Sequence, residues 1–168
     1  MSTVQVAPLN QSRLKELLRY IPESGLFLWI RPPKNHTRLQ EYAAGGIASG
    51  YVMIKIDGRK YKAHRLAWLY MHGAWPQGDL DHINGCPLDN RMANLRIATN
   101  AQNQANRMRD HNKAIPKGVR RLPGGRYQAR ITVKHRQIVL GTFNTPSAAE
   151  QAYIQAAQHH YGEFARAS

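Results

Sequence analysis

Asp57-Gly58 stands between two runs of β-forming residues, Tyr51 to Ile56 (YVMIKI) and Arg59 to Ala63. A two-residue turn of the hairpin type needs positive φ at its centre, so this pair is a strong short-range signal for a β-hairpin. Asn84-Gly85 and Pro123-Gly124-Gly125 are further turn signals that cut the chain into short segments. Short strands and tight turns, interspersed with amphipathic helices, point to an α+β fold.

The segments between the turns can be read from their periodicity. From Ser12 the chain runs SRLKELLRYI, with Leu14, Leu17, Leu18 and Ile21 at helical spacing. This predicts a helix capped near Ser12 and ended by Pro22. Phe27 to Ile30 reads as a strand, and Arg31 to Gly50 as a loop. His64 to His72 (HRLAWLYMH) is helical in pattern, with Leu66, Ala67 and Tyr70 on one face and Gly73 at its end. Leu80 to Ile83 and Asn94 to Ala98 read as strands, and a helix is expected from Asn100 to about Arg109. Residues 107–116 are polar and form the expected linker between domains 1–106 and 117–168. Beyond it come strands at Val119 to Leu122, Arg126 to Val133 and Gln137 to Phe143. Thr145-Pro146 opens a last helix, with Thr as cap and Pro in the first turn. Its Ala149, Ala152, Tyr153, Ala156 and Ala157 fall on one face, small enough for close approach to a sheet.

Charge narrows the partners. Lys and Arg number 24 against 10 Asp and Glu, a formal net charge of +14. Such a field concentrates polyanions. No basic amphipathic helix or long apolar run is evident, so nucleic acid rather than a membrane surface is the expected partner. Cys86 is the single cysteine, which excludes an intrachain disulfide and a Cys-x-x-Cys zinc site. The N-terminus lacks a signal-peptide pattern, so a reducing, cytoplasmic location is expected.

Asp81-His82 places a carboxylate beside an imidazole at a strand end. Taken alone the pair is a common turn or capping element. Hydrolysis of a phosphodiester, however, needs a base for water and a cation to offset charge on the phosphate. A histidine is substantially neutral near pH 7 and can serve as the base. A hard cation such as Mg²⁺ takes oxygen ligands, which Asp81 and a side-chain amide on the following helix can supply.

The stretch from Lys62 to Arg107, with its core DHING, DNRMANLR and TNAQNQAN, resembles the HNH endonucleases of phages and mobile introns. The upstream YIPESGLFLW and GYVMIKIDGRKYKAHRLAW resemble the leader of phage members. The resemblance implies a ββα-metal core around one divalent ion, Mg²⁺ or Mn²⁺. It implies His82 as general base, Asp81 as first metal ligand and Asn103 as second. Asn94, twelve positions after His82, is implied as a brace for the loop that orients the histidine. Many relatives carry His at the position of Asn103, and the Asn form resembles the homing-nuclease branch. His64 and Arg65 lie in the HRLAW element, and His64 is either a phosphate contact or a packed histidine. Arg91 and Arg96 are either phosphate clamps or ion-pair partners. Asn84 is read as a turn residue.

From Lys117 to Arg136 there are seven positive charges in twenty residues and no acid. On an alternating sheet several must share one face, which suits DNA. Lys117 to Gly162 resembles the APETALA2-type DNA-binding domain through GVR, RYQARI, LGTF and the Ala-rich helix. That implies a three-stranded antiparallel sheet packed on one helix, with Arg120, Arg126 and Arg130 as the foremost DNA contacts and Arg121, Lys134 and Arg136 behind them. Gly124 and Val139 replace tryptophans of plant members, and Arg130 and Thr132 replace a Glu and an Arg, so the plant recognition sequence does not transfer.

Together these readings point to a phosphodiester hydrolase that binds double-stranded DNA as a monomer and leaves 5′-phosphate and 3′-hydroxyl ends. A homing or nicking enzyme encoded by a phage or mobile element in a bacterial host is the expected setting. The alternative is a DNA-binding transcriptional regulator with a vestigial nuclease domain.

Overall fold

The computed structural model describes residues 9–34, 41–106, 115–134 and 136–165. The chain divides into two compact units, Met1–Ile97 and Ala98–Ser168. The expected boundary at 107–116 lies later, and residues 107–114 of that linker fall outside the described residues. The helix at Asn100–Asn106 goes with the second unit because it packs on that unit's last helix and the 3-10 turn after it.

In the first unit, α1 (Gln11–Leu17) is capped by Asn10, whose side chain accepts from the Arg13 amide, rather than by Ser12. The expected helix stops four residues early: Leu18–Ile21 is strand β1, paired antiparallel with β2 (Leu26–Trp29). Leu18 and Tyr20 alternate inward with Arg19 outward, so this stretch satisfies a period of two as well as a helical one. Pairing of Leu18 with Trp29 decides between them.

The hairpin at Asp57-Gly58 forms as expected, joining β4 (Tyr51–Ile56) to β5 (Arg59–Lys62). It gains a third strand, β3 (Gly46–Ala48), inside the stretch read as loop. Helix α2 (Ala63–His72) ends at Gly73, which is left-handed at φ 76°. Leu14, Leu18, Ile54, Ile56, Leu66 and Leu69 are the largest fully buried side chains of this unit. The two-stranded ribbon of β6 (Asp79–His82) and β7 (Leu95–Ala98) follows, with a 3-10 turn at Met92–Asn94 leading into β7.

The second unit contains α3 (Asn100–Asn106) and a three-stranded antiparallel sheet in the order β10-β9-β8. Its strands are β8 (Val119–Arg121), β9 (Tyr127–Val133) and β10 (Arg136–Phe143). Helix α4 (Pro146–Tyr161) starts as expected, with the Thr145 hydroxyl accepting from the Ala148 amide and proline in the first turn. It covers one sheet face through Tyr153 and Ala157, which pack with Ile131. Ala149, on the same helix face, is also fully buried. Gly118, at φ +73°, allows the approach: a Cβ there would stand 2.0 Å from the Tyr153 ring. The fold is thus mixed α and β, with small sheets and four α-helices among the described residues. No helix among them is long and apolar enough to cross a membrane.

Candidate active site

Asp81 and His82 end strand β6, and both are buried, at 8% and 6% exposure. The loop that follows is held by Asn94. The Ile83 amide donates to the Asn94 carbonyl at 2.9 Å, and the Asn84 amide donates to Asn94 Oδ1 at 2.9 Å. Asn94 Nδ2 donates in turn to Asn84 Oδ1 at 3.0 Å and to the Asp89 carbonyl at 2.8 Å. Gly85, at φ 69°, closes the turn by donating to the His82 carbonyl at 2.7 Å. One asparagine therefore ties both ends of the 83–89 loop to the start of β7.

Asn84 is a turn residue and more. Its Nδ2 donates to Asp89 Oδ2 at 2.7 Å, and its Oδ1 also accepts from the Cys86 amide at 2.8 Å. The signal for this in the sequence is the repeated Asn and Asp of NGCPLDN, a stretch without periodicity. The N-terminal hairpin braces the far side of this loop. Tyr20 donates to the Asn90 carbonyl at 2.7 Å, and the Met92 amide donates to the Pro22 carbonyl at 3.3 Å. Gly25, at φ +73°, lies so close that a Cβ would stand 2.5 Å from the Arg91 nitrogen.

His82 is enclosed by aromatic rings. The His64 ring lies perpendicular to it with centroids 4.9 Å apart, and the Tyr51 ring is 6.4 Å away. Burial pushes the His82 pKa below its usual 6.5, while Asn90 and Asp81 act in the opposite direction. The ring is accordingly neutral at pH 7 and able to take a proton. His64, at 5% exposure, is packed rather than available to phosphate. Burial, with His82, Lys62 and Arg65 nearby, pushes its pKa down to about 3. Lys62 places its ammonium 3.9 Å from the Tyr51 ring centroid and adds positive potential at both histidines. Tyr51, Lys62 and Asn90 are thus neighbours of the site that the sequence reading did not single out, and Asn84 is one that it reads only as a turn residue.

Arg96 and Arg91, near the motif, each form an ion pair. Arg96 Nε donates to Asp81 Oδ2 at 3.0 Å, with both side chains largely buried. Arg91 grips Asp89 with two bonds, Nε to Oδ1 at 2.8 Å and Nη2 to Oδ2 at 2.6 Å, and holds its carboxyl down to about 2. Arg65 reaches the Gly78 and Pro76 carbonyls, each at 3.5 Å.

Asn103 lies on α3 in the second unit, and its side-chain Oδ1 is shielded from solvent without a hydrogen-bond partner among the described residues. Such an orphaned acceptor suits a cation. Among the described residues there is no group of three or more His, Cys, Asp and Glu side chains placed to hold a metal.

On the C-terminal sheet, the register sorts the basic residues. Arg120 pairs with Gln128, and Arg130 with Val139, on the face turned away from Ile131 and α4. Arg126, by alternation with Gln128, belongs to the same face. Arg121 pairs with Tyr127 and Arg136 with Val133, which puts them on the helix side of the sheet. Lys134 occupies the turn at φ 47°. All but Arg130 are exposed, and Arg130 is half-buried, its Nη1 donating to Gln137 Oε1 at 3.4 Å.

The HNH endonuclease family matches residues 61–105. An uncharacterized HNH endonuclease, L560 of Acanthamoeba polyphaga mimivirus, is 34% identical over 119 residues, which is 70% of this chain and 62% of the relative. The chain thus spans less than two thirds of that relative's length. No solved structure matches it. The segment that holds Asp81, His82, Asn94 and Asn103 is thus the part of this chain that is similar to HNH endonucleases, over residues 61–105.

Proposed function

We propose that the chain is a metal-dependent endonuclease that hydrolyses phosphodiester bonds of double-stranded DNA. The observation that supports this most is the neutral, enclosed imidazole of His82, next in sequence to a buried carboxylate, on a loop clasped by Asn94. His82 takes the proton from a water as it attacks phosphorus in line. Asn94 keeps the 83–89 loop, and with it the end of β6, in one conformation. Asp81 and Asn103 are the proposed oxygen ligands; for Asn103 the support is its place in the motif and its unpartnered amide oxygen. Bound there, Mg²⁺ or Mn²⁺ supplies charge stabilisation to the phosphate and the departing 3′ oxygen. The products carry 5′-phosphate and 3′-hydroxyl ends.

The C-terminal sheet is the proposed second DNA contact, similar to an APETALA2-type domain, with Arg120, Arg126 and Arg130 on its open face. Two DNA-binding units on one chain raise each other's effective concentration. A monomer with one active site cuts one strand per visit, which suits a nicking or homing enzyme of a phage or mobile element.

The test is cleavage of supercoiled plasmid with Mg²⁺ by the wild type and His82→Ala. The expected result is relaxed or linear product from the wild type alone. Equal activity in both would remove His82 as the base. Activity in neither, with DNA binding retained, would instead favour a DNA-binding regulator.

A further inference from the structure

A general base must be held in one orientation, because a displacement of about 1 Å at the reacting atoms can cost on the order of 10²-fold in rate. The Asn94 clasp restrains the backbone after His82, and the Asn90 side chain is hydrogen-bonded to the His82 side chain. The ring meets two others from separate elements, Tyr51 of β4 and His64 of α2. Helix α2 is a rigid mount, since Leu66, Ala67 and Leu69 are at most 1% exposed in the core. His64 sits in its first turn with its ring 5.5 Å from Tyr51 and 4.9 Å, perpendicular, from His82.

We propose that His64 is a positioning residue, a wall that fixes the ring plane of His82; this rests on His82 being the base. The wall acts by shape and π-face rather than by hydrogen bonding, because His64 Nδ1 makes no hydrogen bond among the described residues. An uncharged ring is the right material for it. Burial and the first turn of a helix both disfavour charge on His64.

The experiment uses the full chain on supercoiled plasmid with Mg²⁺, measuring single-turnover rate, and separately DNA affinity without metal. His64→Ala is expected to lower the rate by on the order of 10²-fold while leaving DNA affinity unchanged. His64→Phe, which keeps a ring, recovers most of the rate, and His64→Asn, which keeps a polar atom but no ring, does not. A wild-type rate in His64→Ala overturns the proposal. So does recovery by Asn instead of Phe, or a rate loss matched by weaker DNA binding. Should the variants unfold, ring-to-ring proton contacts between His64 and His82 in the wild type by NMR decide the matter, and their absence overturns it. His82→Ala separates the two levels. If it cleaves normally, the base assignment fails and this inference with it. If it is inactive while His64→Ala is fully active, only the role of His64 fails.

Discussion

Arg96 Nε donates to the carboxylate of Asp81 at 3.0 Å across the β6–β7 ribbon, and both side chains are largely out of water. A guanidinium thus stands on the carboxylate proposed to hold a divalent cation. Removing one partner of a buried pair leaves the other charge poorly compensated, at a cost of about 3 kcal/mol. Arg96→Ala is therefore expected to destabilise the protein without metal and to gain more from Mn²⁺ than the wild type does. Thermal melts with and without Mn²⁺ check this. An equal gain in both proteins would dissociate Asp81 from the metal.

Asn94→Ala removes the side-chain acceptor for the Asn84 amide and the donor to the Asp89 carbonyl. Buried groups left unsatisfied cost about 1–3 kcal/mol each. The expected outcome is faster amide hydrogen exchange over 83–90, with lower stability and a reduced cleavage rate. Wild-type protection in that loop would show that Asn94 does not hold it.

Gly25→Ala forces a Cβ against the backbone of Asn90 and Arg91 and into a left-handed conformation. Strain of this kind costs about 1–3 kcal/mol before the clash is added. Denaturant unfolding should show a loss at least that large, with cleavage falling as the 88–92 segment moves. A neutral result would mean that the hairpin turn and the loop are not in close contact.

The pKa of His64 is lowered to about 3 in the folded chain from 6.5. Between these values the unfolded chain binds the proton and the folded one does not. Its contribution is thus fully present above pH 6.5 and is lost as pH falls toward 3, at about 1.4 kcal/mol per pH unit. His82, also lowered, acts in the same direction. Stability measured from pH 7 to pH 5 should fall less steeply in His64→Phe than in the wild type. Parallel curves would contradict the burial of a neutral His64.

On the C-terminal sheet, the open-face residues Arg120 and Arg130 are expected to touch phosphate or base edges. Changing either to Ala should weaken DNA binding and reduce the slope of log affinity against log salt by about 0.9 for each phosphate that is no longer neutralised. Arg121→Ala and Arg136→Ala, on the helix side, should do so less. Affinity measured at several salt concentrations distinguishes the two pairs, and equal effects would argue against a single DNA-facing surface.

Much of the architecture follows from local signals. Asp57-Gly58, Thr145-Pro146 and the alternation from Tyr127 to Val133 each produced the element they encode. Leu18–Ile21 did not, because its apolar spacing serves helix and strand alike, and the strand at Gly46–Ala48 carries no alternation to read. At the candidate site, the order and spacing of Asp81, His82, Asn94 and Asn103 are visible as a pattern, and so is the Asn84-Gly85 turn. Whether Arg91 and Arg96 face phosphate or carboxylate is open at the level of sequence, since both uses need the same side chain.

The amino-acid sequence by itself determined the Asp57-Gly58 and Asn84-Gly85 turns, the Thr145 cap and the charge of the C-terminal strands, which depend on neighbours a few positions apart, and the order and spacing of the motif within residues 61–105. Only the tertiary structure decided that Leu18 pairs with Trp29, that Arg96 lies on Asp81, that Asn94 reaches back to Asn84 and Asp89, and that His64 stands against His82. The reason is energetic. Helix propensities differ by less than about 1 kcal/mol per residue for ordinary side chains. Burial of one large apolar side chain contributes about 1.5–3 kcal/mol, so long-range packing overrides local preference wherever the two conflict.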